Sequence, residues 1–109
     1  MREASHSTTI LHAAGVISTS GDNVILAAPG TTFQHVVEDF MLQNKTGVAM
    51  TALVKFGSVS IPVDLPAYGD GLVYVPRRAW ELGANNPLVV NLSSANGVNY
   101  HFSHWLNSL

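Results

Sequence analysis

Cysteine is absent from all 109 residues, which removes disulfides, thiolate nucleophiles and thiolate metal ligands together. The fold must therefore hold by packing, with or without oligomerisation. Charge is scarce as well. Asp, Glu, Lys and Arg make up 11% of the chain, under half the roughly 25% usual in soluble proteins. A free monomer ordinarily keeps a charged surface to stay dispersed. Here Ser, Thr, Asn and Gly take that place, which suits a surface covered by partners and equally a neutral-surfaced secreted β protein. Net charge is −2 and only Arg77-Arg78 sets two bases side by side, so there is no electrostatic case for nucleic acid or an anionic membrane. No apolar run approaches the ~18 residues of a membrane span. Residues 1–7 have a base but no apolar stretch behind it long enough for a signal peptide.

Chemistry is missing too. The sequence has no G-x-S-x-G elbow, no H-E-x-x-H and no phosphate-cradling glycine loop. Gly69-Asp70-Gly71 lacks the Lys and the helix that phosphate binding needs. Glu38-Asp39, adjacent on a strand, project to opposite faces and make a poor acid/base pair. Asp22, Asp64 and Asp70 fall in turn-like segments, where the side chain caps its own backbone. The histidines stand at 6, 12, 35, 101 and 104. His101 and His104 would share a face of a helix, but their odd spacing splits them across a strand, which weakens a shared metal site. The expectation is a protein that is not an enzyme and uses no cofactor or metal.

What is present is turn chemistry and short β-rich runs. Gly21-Asp22-Asn23, Pro29-Gly30, Asn44–Gly47, Pro66–Gly71, Gly83–Pro87 and Ser94–Gly97 punctuate the chain at intervals of roughly 8 to 15 residues, the spacing of a sandwich or barrel. In 48–56 the residues Val48, Met50, Ala52, Val54 and Phe56 alternate against Ala49, Thr51, Leu53 and Lys55. Val59, Ile61 and Val63 do the same in 58–63, so Gly57 turns a hairpin and Pro62 marks a sheet edge. Further strands are expected at 8–13, 24–28, 33–43, 71–75, 88–92 and 98–106, with Asn96-Gly97 joining the last two as a hairpin. Segment 33–43 also carries Val36, Val37, Phe40 and Met41 at helical spacing, but its flanking turns favour a strand. Pro76–Leu82 holds one helical turn at most. About eight short strands predict an all-β, antiparallel sandwich of jelly-roll type, with 1–7 as a short polar arm and 8–109 as one domain.

Interface chemistry concentrates in 74–82, where Tyr74, Arg77, Arg78 and Trp80 gather the residue types that dominate binding hot spots. Trp80 either anchors a partner or plugs the core at a sandwich corner, and the sequence leaves both open. Trp105, four residues from the last, poses the same choice, and Tyr68 adds an aromatic in a turn.

From about Ser20 onward the pattern resembles a family of small virion structural proteins of tailed bacteriophages. The residues carrying it are Gly30-Thr31-Thr32-Phe33-Gln34-His35-Val36-Val37, Thr51-Ala52-Leu53-Val54-Lys55-Phe56-Gly57-Ser58, Leu65-Pro66-Ala67-Tyr68-Gly69-Asp70-Gly71-Leu72, Pro76-Arg77-Arg78-Ala79-Trp80 and Pro87-Leu88-Val89-Val90-Asn91-Leu92-Ser93-Ser94-Ala95. The resemblance spans most of the chain and is one of pattern. It implies a β-sandwich that forms homotrimers and sits on the capsid exterior as a decoration (cement) protein bound to the major capsid protein. Less often such proteins serve in tail or fibre parts. It supplies no catalytic residues, and it implies synthesis in the host cytoplasm. Related chains often begin with a fibre stem or long arm, so the short polar start here shifts attachment to the body of the domain. The alternative is a host-recognition module at a tail or fibre, with Tyr68, Tyr74, Trp80 or Tyr100 as a stacking platform.

Overall fold

Alternating burial sorts the chain into two sheets facing one core. The computed structural model describes residues 10–68, 73–75 and 80–109, and the expected arm at 1–7 lies outside them. The described strands are β1 (Leu11–Ile17), β2 (Gly21–Leu26), β3 (Phe33–Asn44), β4 (Met50–Phe56), β5 (Val59–Leu65), β6 (Val73–Val75), β7 (Trp80–Glu81), β8 (Leu88–Leu92) and β9 (Val98–Ser108). One sheet runs β1-β9-β3-β6, with β7 also on β3; the other runs β2-β8-β4-β5. Every pairing is antiparallel. Successive strands alternate between sheets except at the β4–β5 hairpin and where β6 and β7 lie on the same strand. That is the jelly-roll winding, a double Greek key that shields most of its edges.

The hairpin forms as the alternation predicts, Met50 opposite Leu65 through Phe56 opposite Val59. Pro62 sits on β5, the outer strand of its sheet, where a missing N–H costs no ladder bond. Gly57 closes the turn at φ +64, and a Cβ there would lie 2.2 Å from the Leu82 carbonyl oxygen. Both the left-handed backbone and the close approach of another loop require glycine. Asn44, wholly buried, ends β3 by donating to the Val48 and Leu65 carbonyls and accepting from the Thr46 N–H and hydroxyl. Its polar atoms thus hold the loop that sends the chain to the second sheet.

Several expectations need correction. Asn96-Gly97 does not close a hairpin: β8 pairs with β2 and β4, while β9 pairs with β1 and β3. The turn residues there carry the chain across the sandwich, because Leu88, Val90 and Leu92 of β8 are already paired on both sides. Trp80-Glu81, expected in a helical turn, form a short strand against Val37 and Val36. Asp22 and Asp64 lie on strands, and Asp70 is outside the described residues. The first two strands run Leu11–Ile17 and Gly21–Leu26, offset from 8–13 and 24–28. Their boundaries follow pairing with β9 and β8, which local composition does not report.

The helical look of 33–43 has a specific origin. The β3–β9 register shifts between Ser103 and His104, so that Asp39 faces Ser103 while Val37 faces His104. Glu38 is the extra residue of a β-bulge, and the bulge reverses the parity of the strand. Val37 and Phe40, three apart, therefore both reach the core.

Gly57→Ala should lower stability by about 2 kcal/mol or more, measured by denaturant unfolding. Gly97→Ala, whose added Cβ would meet only Val16 at an ordinary 3.6 Å, should change it by no more than about 0.5 kcal/mol.

Candidate interaction surface

The sequence-selected residues do not gather at one place. Trp80 faces inward. Its ring stacks on Phe56 at 4.8 Å and 8° and meets Phe40 at 5.6 Å, so the core-plug reading describes this side chain. Tyr100, the platform candidate, also packs against the core, beside Phe102 and over Gly15. Tyr68 is 77% exposed at φ 60, its backbone N–H bonded to the Thr46 carbonyl and its ring lying over Gly47. Tyr74 is on β6 with its backbone opposite Met41. Arg77 and Arg78 lie outside the described residues.

Trp105 is placed differently. It stands opposite Val36 on β9, and strand alternation from the core residue Phe102 puts both on the outer face of the first sheet. Met41, His101, Ala14 and Val16 share that face by register. Among the described residues it carries no Lys or Arg. Strand spacing near 4.8 Å and a rise near 3.3 Å per residue make the face roughly 35 Å long and 15–20 Å wide, on the order of 600 Å². Within it Val36 and Ser103 are already covered in the single chain, at 3% and 8% exposure.

The outer face of the other sheet carries an ion pair. Lys55 Nζ lies 3.0 Å from Asp22 Oδ1, which also accepts from Asn91 at 2.8 Å. These hydrogen bonds, that of Asn91 foremost, hold the Asp22 carboxyl below its ordinary range. Asp64, opposite Thr51 and exposed, adds a second carboxylate to this face. A shallow groove of about 260 Å³ opens at its β4–β5 end, lined by Ala49, Met50, Thr51, Asp64, Leu65 and Pro66, without a cluster of reactive groups.

The histidines separate as strand parity predicts. His101 is on the outer face and His104 on the inner. Each finds a partner far away in sequence: His101 meets His12 at a ring separation of 5.1 Å, and His104 meets His35 at 6.2 Å. His35 Nε2 donates to the Ala27 carbonyl at 2.8 Å. The buried Nδ1 atoms of His35 and His104 find no hydrogen-bond partner among the described residues. Burial pushes the His104 imidazole below its ordinary value of 6.5, with His35 and then His12 acting in the same direction. Neither pairing could be found by spacing, since 89 and 69 residues separate the partners in sequence. Among the described residues no three His, Cys, Asp or Glu are grouped to hold a metal.

Trp80→Ala should cost about 3–5 kcal/mol in unfolding free energy, whereas Trp105→Ala should cost under about 1.5 kcal/mol. Equilibrium denaturation of the two variants separates the core tryptophan from the surface one.

Because the folded pKa of His104 is depressed, the unfolded chain binds its proton first as pH falls. Stability is retained above about pH 6.5 and declines as pH drops through and below that value. Denaturation midpoints between pH 7.5 and 5 should show the decline, and His104→Phe should reduce it.

No family model, curated protein or solved structure matches this chain.

Proposed function

We propose that this protein is a non-catalytic structural component of a bacteriophage virion, a decoration protein that binds the outer capsid surface as a homotrimer and stabilises the shell. The observation that carries the reading is the contrast between the two outer faces. On the second sheet the outer face carries the Lys55–Asp22 ion pair; on the first it bears Trp105, Met41 and Val16 beside Asp39 and Glu81, with no Lys or Arg among the described residues. Burying such a face against copies of the chain brings Trp105, Met41 and Val16 into contact, and aromatic and Met side chains are the types enriched in interface cores. The low overall charge and the jelly-roll winding, an architecture used in viral capsid domains, support the same reading. So does the patterned resemblance of the sequence.

A cement protein needs only contact area. A ligand that binds the assembled shell and not its free subunits stabilises the shell by RT ln(1 + [L]/Kd) per site. The alternative, a tail- or fibre-associated host-recognition module, draws support from Tyr68, an exposed ring at a loop tip suited to stacking on a sugar.

Light scattering should give a solution mass three times that of the chain, and Trp105→Glu should shift it to the monomer without unfolding the protein. Capsids carrying the protein should survive heating that opens capsids lacking it. Equal survival of both would discard the cement role, and saturable glycan binding lost in Tyr68→Ala would favour the recognition module.

A further inference from the structure

We propose that His12 and His101 form a two-nitrogen binding site for a divalent transition-metal ion (zinc, nickel or copper) on the outer face of the first sheet. His12 Nδ1 lies 3.2 Å from His101 Nε2. Two imidazoles on one zinc, each bonded at 2.0–2.1 Å in tetrahedral geometry, hold their nitrogens about 3.3–3.4 Å apart. A right-angled pair on copper or nickel holds them about 2.9 Å apart. The observed spacing falls between the two, and each ring must turn so that its lone pair leaves the N···N line and meets the metal.

The backbone keeps the pair in place. His12 is opposite Ser103 and His101 is opposite Ala14 in the β1–β9 ladder, so the two histidines are diagonal neighbours on one face. Ser103 Oγ lies 3.4 Å from His12 Nδ1 on the same face. Imidazole is the protein ligand that suits zinc, copper and nickel alike.

The proton balance is simple. In the free protein one ring nitrogen donates its hydrogen to the lone pair of the other. On binding, the donor ring moves that proton to its second nitrogen. Both contacting nitrogens then offer lone pairs to the metal, and two neutral imidazoles remain neutral. The other coordination positions open outward, since His12 is exposed, and are filled by water. The site lies on the face that the proposed homotrimer would bury, so the titration is also run on the Trp105→Glu monomer, which reads the site apart from that packing.

Zinc titration of the full chain by calorimetry should show one ion per chain. His12→Ala and His101→Ala should each weaken binding at least about tenfold, while His6→Ala leaves it unchanged. Circular dichroism checks that each variant is folded, and His12→Gln replaces His12→Ala if that variant is not. The copper-loaded protein should show electron-spin coupling to two imidazole nitrogens, reduced to one in either variant. Absent zinc binding, a loss under tenfold in both folded variants, or copper coupled to fewer than two nitrogens overturns the proposal.

Discussion

Contact between aromatic rings across the sandwich is the constraint on which the remaining structure depends. Phe40, Phe102 and Trp80 come from β3, β9 and β7 of one sheet, and Phe56 comes from β4 of the other. Phe40 touches the other three at 5.3–5.9 Å, and Phe56 stacks flat on Trp80. Each ring buries large apolar area, and offset or tilted pairs add roughly 0.5–1.5 kcal/mol beyond it. With no disulfide to hold the layers, this packing sets how the sheets meet. The same contact explains two local features. The bulge at Glu38 lets Val37 and Phe40 both face inward, and Gly57 allows the loop after Trp80 to approach the β4–β5 turn.

With the inside filled, the two outer faces differ in what they offer. Lys55, Asp22 and Asn91 satisfy one another in water on the second sheet. The first sheet has β9 at its centre, and every second residue of that strand, from Asn99 through Trp105, projects outward. The same parity divides His101 from His104, placing one beside the exposed His12 and the other, itself buried, beside the half-buried His35. One tripeptide step thus separates an imidazole open to ligands from one whose protonation opposes folding.

Much of the fold was legible from residue order. The alternation of Val54 and Phe56 against Lys55, the glycine at 57, the edge proline at 62 and the run from Leu88 to Leu92 each report a local constraint that the fold obeys. The boundaries of β1 and β2 were not legible, because Ala14, Gly15 and Asp22 have weak strand preference and join strands only through their neighbours. The hairpin expected at Asn96-Gly97 failed for a related reason. Turn chemistry specifies that the chain reverses, but not which strand it reverses onto. Of the interface candidates, Trp80 and Trp105 read alike in sequence and are both half-buried; the inward turn of Trp80 onto Phe40 and Phe56 tells them apart.

The sequence by itself determined an all-β domain without thiol chemistry, poor in charge, whose short strands pack as a sandwich. These properties follow from composition and from the two-residue period of a strand, both local quantities. Only the tertiary structure decided which tryptophan fills the core, which sheet carries Trp105 on its outer face, and which histidines meet. His12 and His101 are brought within 3.2 Å by pairing the first strand with the last. That juxtaposition comes from the winding of the chain, and nothing in the spacing of the residues encodes it.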